Sequence, residues 1–377
     1  MSTSSVMFVA GDPSGDEHAS HIVRRLPELV PDVKCFGIGG HAMQAAGFEP
    51  LMAFEEFNRM GFIEIMTHLP FFLNARKKLV TAMDEYKPDA LVCIDYPGLN
   101  IPLMKEAAKR KIPVIWYIVP QVWAWKKKRS RVLGKFASFI GAVFPFEISF
   151  FEGYNADVSF VGHPLVEAML RESVNNASAD IKPAPGLNIS IIPGSRQQEV
   201  SAMLPCMISA AMLLKQKYPD VSITVSKSRN LPVQLYEKAC SENNIGLFKG
   251  RLTDLLKRTD YAFVTSGTAT LETALAGIPM VIAYRTSQIT YWLMKRMIRV
   301  PFIGLPNIVA GEKIVPECIQ HEASANSLAK AMLPFMESEE YRLKTVRKLS
   351  GLKNILGSKC PSKEIAEAIA TIVNKPA

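Results

Sequence analysis

Two glycine-bearing turns in the C-terminal half restrict this chain more than any other feature. They are Ile191-Ile192-Pro193-Gly194-Ser195-Arg196 and Val264-Thr265-Ser266-Gly267-Thr268-Ala269-Thr270-Leu271-Glu272. Each follows a short apolar run of β type and opens a helical pattern. A strand that turns directly into a helix presents backbone N–H groups and the positive end of the helix dipole, where an anion can sit. Arg196 suits a diphosphate because its guanidinium fork donates paired hydrogen bonds to neighbouring oxygens. Glu272, in the first turns of the second helix, can accept from ribose hydroxyls, with compensation of the helix dipole as the competing role. With the amides and hydroxyls of Gly194, Ser195, Ser266, Gly267 and Thr268, these residues outline a sugar-nucleotide site.

Strand and helix patterns alternate along the chain. Strands are expected at 6–10, 34–38, 90–94, 114–118, 139–143 and 158–161, and again at 189–192, 222–225, 245–248, 261–264 and 279–282. Helices such as 19–30, 74–86 and 102–111 fall between them. Such alternation with short connections predicts an α/β fold of two Rossmann-like, doubly wound parallel-sheet domains facing a cleft, with ligands at the C-terminal ends of the strands. The expected division is an N-terminal domain over 1–171, a linker rich in Asn, Ser, Ala and Pro over 172–185, and a C-terminal nucleotide-binding domain over 186–350. A helical tail over 351–377 is expected to pack back on the first domain.

At 377 residues and 48% hydrophobic content, the chain has enough apolar mass for two ordinary cores. Its six cysteines are scattered without C-x-x-C pairs, which fits a reducing cytoplasm. The start runs almost directly into a strand, without the charged and apolar regions of a secretory signal, and no apolar run is long enough to span a bilayer. The net charge of +9 raises the question of nucleic acid. The basic clusters lie outside any zinc-finger, RNP or homeodomain pattern, so no nucleic-acid partner is expected. One cluster, Arg76-Lys77-Lys78, follows the apolar stretch 60–73 containing Phe62, Phe71 and Phe72. This pattern describes either an element resting on an anionic membrane face or a core-facing helix with a solvated basic end.

In the N-terminal half, Gly11-Asp12-Pro13-Ser14-Gly15-Asp16 is another strand-to-helix turn, with Gly15 for tight geometry and Ser14 or Asp16 as helix cap. Asp95 ends the apolar run Leu91-Val92-Cys93-Ile94 and precedes a Pro-Gly turn. There it is either a base for a hydroxyl or a turn-capping aspartate. Trp116, Trp123 and Trp125 precede or flank a basic run, and suit either the floor of a sugar site or core packing. His18 and His21 read as surface histidines, and no aspartate pair stands out at a strand end to hold a metal.

An ordered set of motifs resembles the lipid-A-disaccharide synthase family. It comprises Gly11 to Asp16, Ile94-Asp95-Tyr96-Pro97, Val119-Pro120-Gln121-Val122-Trp123-Ala124-Trp125, Phe144-Pro145-Phe146-Glu147, Val161-Gly162-His163-Pro164, the two turns above and Leu305-Pro306-Asn307-Ile308-Val309-Ala310-Gly311. The resemblance implies a GT-B inverting glycosyltransferase without cofactor or metal. Asp95 is then the catalytic carboxylate, and Arg196, Glu272 and Asn307 belong to the nucleotide site. Ser14, Gly15, Asp16 and Trp123 are candidates on the acceptor side. The implied partners are UDP-2,3-diacylglucosamine, 2,3-diacylglucosamine 1-phosphate (lipid X) and an anionic membrane surface. The implied location is the cytoplasm, peripheral to the inner membrane. Monomer and homodimer both stay open. Asp12-Pro13 replaces the family's usual Glu-Ala, and Gly98-Leu99 departs from its usual sequence after Pro97; both departures fall on the acceptor side. UDP-N-acetylglucosamine 2-epimerases and other UDP-sugar enzymes acting on lipid-linked acceptors share such a nucleotide half and are the alternatives.

Overall fold

The computed structural model describes residues 4–52, 54, 69–120, 128–175, 186–287, 291–292 and 301–375. The chain divides into two compact units, Met1–Arg171 with Leu356–Ala377, and Glu172–Ile355. In the first unit the strands are β1 (Ser5–Ala10), β2 (Lys34–Ile38), β3 (Glu49–Pro50), β4 (Ala90–Ile94), β5 (Val114–Tyr117), β6 (Phe139–Ala142) and β7 (Asp157–Phe160). They form one parallel sheet in the order β3-β2-β1-β4-β5-β6-β7. In the second unit β8 (Asn188–Ile192), β9 (Ser222–Ser226), β10 (Gly246–Phe248), β11 (Tyr261–Thr265), β12 (Met280–Tyr284) and β13 (Glu317–Ile319) form a parallel sheet in the order β10-β9-β8-β11-β12-β13. Both sheets are doubly wound. Their strand order reverses once, between β1 and β4 and between β8 and β11, and this reversal opens a crevice at the carboxyl ends of the central strands.

The central strands read as continuous apolar runs because helices cover both faces of a parallel sheet. Val6 to Ala10 and Ala90 to Ile94 are buried throughout. Helices begin earlier than their apolar periodicity suggests, at Pro13 and Pro97, because proline is preorganised for the first helical turn and lacks the N–H that would go unpaired there.

The closing helix Pro361–Val373 packs along the helix Pro13–Leu29 and reaches β4, β5 and β6, so the chain's end completes the first unit. Ile365 and Ile369 are fully buried there. Each buried isoleucine contributes roughly 1.5–3 kcal/mol of apolar transfer. Gly162 makes this docking sterically possible. Its φ is +96°, and a Cβ added to it would lie 2.4 Å from the Lys359 carbonyl oxygen. The carboxylate of Glu167 then accepts from the Ser362 amide at 3.1 Å and the Cys360 thiol at 3.0 Å, which caps the closing helix. The helix Glu339–Leu356 runs through position 351, and the return to the first unit comes at its last residue.

Candidate active site

In the first unit, the loops after β1 and β4 meet where the strand order reverses. The second loop carries Asp95 and Tyr96, both left-handed, with φ of +42° and +48°. A non-glycine residue in that region costs about 1–2 kcal/mol, so the surroundings must hold both residues there. Asn100 does much of this. It is fully buried and its Nδ2 donates to the carbonyls of Val9 at 3.3 Å, Ile94 at 3.3 Å and Asp95 at 2.8 Å, tying both central strand ends to the loop. The Asp95 amide donates to the Tyr117 carbonyl at 2.9 Å.

Asp95 is half-buried, and burial is the main force pushing its carboxyl up to about 6. The Asp12 carboxylate adds to that rise, while the Tyr96 amide and the Arg129 guanidinium oppose it. A carboxylate poised near neutrality is matched to taking a proton from a hydroxyl. Asp12 and Arg129, one raising and one lowering the affinity of Asp95 for its proton, lie in separate stretches of sequence, so their proximity to Asp95 emerges only from the fold.

Other expected residues of this loop have structural roles. Asp12, rather than Ser14 or Asp16, caps the first helix, accepting from the Gly15 amide at 2.6 Å. The buried Asp16 accepts from the amides of Gly40 at 2.7 Å, Ala42 at 3.1 Å and Met43 at 3.1 Å, and so holds the turn after β2. Ser14 Oγ pairs with His18 Nε2 at 3.2 Å. Gly11 is a close-approach position, since a Cβ there would lie 2.7 Å from the Tyr96 ring. His18 and His21 are half-buried rather than on the open surface, and burial is the first cause lowering each to about 4. His163 is buried, falls to about 3 chiefly through burial, and accepts the Leu165 amide on Nδ1 at 3.2 Å.

Trp123 and Trp125 lie outside the described residues. Trp116 is fully buried with its indole N–H donated to the Ile118 carbonyl at 3.1 Å, so core packing accounts for it. Of the apolar stretch 60–73, Phe62 also lies outside the described residues. Phe71 and Phe72 pack on the core of the first unit, Phe72 with its ring centroid 6.3 Å from that of Tyr96. At these two residues the core-facing alternative holds. Arg76 pairs with Glu106 at 2.9 Å, while Lys77 and Lys78 are exposed.

In the second unit, the loops after β8 and β11 carry the two glycine-bearing turns to the reversal point. The first turn differs from expectation. Glu199 folds back from the first turn of the helix Gln197–Lys217 and accepts from the Ser195 amide at 3.1 Å and the Arg196 amide at 3.3 Å. These amides are therefore occupied. Gly194, at φ +115°, turns the chain into this cap. The same carboxylate takes Arg196 Nη1 at 2.8 Å, which offsets an arginine at the positive end of a helix. Arg196 still projects outward, its side chain 78% exposed. Burial, and then the charge of Glu199, raise the Tyr284 phenol, which puts the end of β12 beside the same group.

The second turn stays open. Gly267 and Thr268 are exposed, and the N-cap position of the helix Thr268–Leu275 is Gly267, which has no side chain to cap it. Ser266 donates its hydroxyl to the Ile303 carbonyl at 2.9 Å. Glu272 sits half-buried one turn along the helix. Asn307 is fully buried: its Nδ2 donates to Val315 O at 2.9 Å and Glu317 Oε1 at 2.8 Å, and its Oδ1 accepts from the amides of Ile314 at 2.8 Å and Val315 at 3.0 Å. Its amide group is committed to holding its own loop. Glu317, absent from the sequence-based candidates, also accepts from the amides of Ile303 at 3.0 Å and Gly304 at 2.9 Å. Among the described residues, no group of His, Cys, Asp and Glu is arranged to hold a metal ion.

Comparison with known proteins places this geometry. A family model described as lipid-A-disaccharide synthetase matches residues 6–372. The lipid-A-disaccharide synthase of Geobacter sulfurreducens is 36% identical over 379 residues, covering 98% of this chain and 97% of that protein. That of Escherichia coli is 35% identical over 337 residues, covering 88% of each. Among solved structures, UDP-GlcNAc 2-epimerase from Neisseria meningitidis bound to UDP-GlcNAc aligns with a TM-score of 0.67 at 14% identity, over 97% of this chain and 100% of that one. The glycotransferase of kitacinnamycin aligns with a TM-score of 0.66 at 14% identity, over 99% and 100%. These two likenesses establish a fold of two Rossmann-like units of the GT-B type. The full-length sequence matches go further: the chain belongs to the lipid-A-disaccharide synthase family, glycosyltransferases of lipid A biosynthesis.

Proposed function

We propose that the chain transfers 2,3-diacylglucosamine from its UDP conjugate to the 6-hydroxyl of 2,3-diacylglucosamine 1-phosphate, with inversion, giving the β-1,6 disaccharide 1-phosphate and UDP. The observation that carries this reading is Asp95, a carboxylate held at the reversal point of the first sheet with its pKa raised to about 6 by burial and by the nearby Asp12. Asp95 takes the proton of the acceptor hydroxyl as that oxygen bonds to the donor anomeric carbon and the bond to the diphosphate breaks. A single displacement needs one base and no carboxylate nucleophile. The leaving diphosphate gains negative charge, where the outward guanidinium of Arg196 and the exposed turn at Gly267 and Thr268 stabilise it. Glu272 serves the ribose. Asn307 contributes by fixing the segment over 303–315 with its side-chain amide rather than by contact with the nucleotide. Ser14, Gly15 and Asp16 shape the acceptor-side loop in the same indirect way, and Trp123 stays a candidate for the acceptor.

Substrates with acyl chains place the enzyme at the cytoplasmic face of the inner membrane, bound peripherally. No described helix is long and apolar enough to cross a bilayer, and Lys77 and Lys78 offer exposed positive charge to anionic lipid. The test is the purified chain with both substrates and mass spectrometry of the products. A disaccharide 1-phosphate formed only when both are present supports the reading. UDP release without lipid X would favour epimerase-like chemistry.

A further inference from the structure

The buried side-chain polar atoms left without a hydrogen-bond partner among the described residues are Tyr96 Oη, Asn100 Oδ1 and Thr265 Oγ1. Tyr96 and Asn100 belong to the segment that follows β4, and Thr265 ends β11, so each falls at the reversal point of its sheet. Folded proteins pair nearly all such atoms, and a cluster of exceptions at one kind of place calls for a cause.

Tyr96 is the most informative of them. Its backbone is held left-handed beside Asp95, and the chain keeps glycine at position 11 where any Cβ would strike the ring. The Phe72 ring centroid lies 6.3 Å from the centroid of the same ring. Packing alone would be met by phenylalanine, which fits the same space without burying an unpaired hydroxyl. The phenol is also kept protonated, by burial first and by the Asp12 carboxylate second, so it is available as a donor. Asp12 exerts the same influence on Asp95, which places the phenol and the base in one electrostatic neighbourhood.

We propose that the Tyr96 hydroxyl donates a hydrogen bond to an oxygen of the acceptor sugar as that sugar is presented to Asp95, making Tyr96 a determinant of acceptor affinity. Tyr96 as a residue is only half-buried while its hydroxyl oxygen is buried, so the side chain must turn towards the acceptor when that sugar binds. This inference rests on the transferase reading above, because it needs an acceptor sugar beside Asp95.

The test is Tyr96→Phe, which removes the hydroxyl and keeps the ring. Steady-state kinetics are measured with lipid X varied at saturating donor and with donor varied at saturating lipid X, together with thermal melting. Loss of one neutral hydrogen bond should raise the acceptor KM about tenfold. The donor KM stays unchanged and the melting temperature is equal or higher, since an unpaired buried group has been removed. An acceptor KM within about threefold of wild type would show the hydroxyl to be idle. A rise of both KM values together, or a marked fall in melting temperature, would assign Tyr96 a structural role instead. Either result overturns the proposal. A wild-type chain that makes no disaccharide rejects the transferase reading itself, and the assignment of Tyr96 falls with it; an active wild type with an unaltered Tyr96→Phe rejects the Tyr96 assignment alone.

Discussion

Asp95→Asn should make the enzyme inactive and more stable at once. The carboxyl is pushed from 3.8 up to about 6, mainly by burial, so the folded first unit resists its ionisation. Each pKa unit corresponds to about 1.4 kcal/mol, and a rise of this size disfavours the fold by roughly 3 kcal/mol once the group is charged. The sign follows from the protonated form. Below 3.8 the carboxyl is neutral in both folded and unfolded chains and the penalty is absent; it builds as pH rises towards 6 and is complete above. Asparagine has no charge to bury and tolerates the left-handed backbone that Asp95 adopts. Melting compared at about pH 7.5 and about pH 4 should therefore show a gain of roughly 5–10 °C at the higher pH and little or none at the lower. Turnover should fall by about 10²–10⁴. A gain equal at the two pH values, or a loss of stability at the higher, would refute the assignment of a strained, base-like carboxylate.

Wild-type kcat/KM should rise with pH through about 6 and then level, since Asp95 must be deprotonated to act. Arg129→Met removes a charge that favours the carboxylate, so the rising limb of the same pH–rate profile should move to higher pH. His163 and His18 have folded values lowered to about 3 and about 4 against 6.5 when unfolded, so they favour the fold above 6.5 and that contribution is lost as pH falls towards the folded values. Replacing His163 with Asn should flatten the fall of melting temperature below about pH 6.5. Gly162→Ala, forced to φ +96° against the Lys359 carbonyl, should destabilise the docked closing helix by about 2 kcal/mol or more, read as faster amide exchange over 361–373. Arg196→Met should weaken UDP binding about tenfold in calorimetry, with melting little changed because the side chain is exposed.

The architecture was largely legible because buried parallel strands are continuous apolar runs, and Lys34–Ile38 and Ala90–Ile94 fall where the pattern puts them. The edge strands Glu49–Pro50 and Glu317–Ile319 were not, since two or three residues that open on a glutamate carry no periodic signal. In the sites, Asp95 and the glycine turns stand out locally because a strand end and a helix start are adjacent in sequence. The seizure of the Ser195 and Arg196 amides by Glu199 is also local, a glutamate at the third helical position, but it competes with the anion-binding reading of the same turn. The influence of Asp12 on both Asp95 and Tyr96 has no local signature. It arises from the pairing of β1 with β4, which only the folded sheet creates.

The central claim is a single displacement driven by one base. Nuclear magnetic resonance of the disaccharide made from UDP-2,3-diacylglucosamine and 2,3-diacylglucosamine 1-phosphate reports the configuration of the new glycosidic bond directly. A β-1,6 linkage from the α-linked donor is the predicted result. An α linkage would require a second displacement and a nucleophile that Asp95 alone does not supply, and would contradict the account.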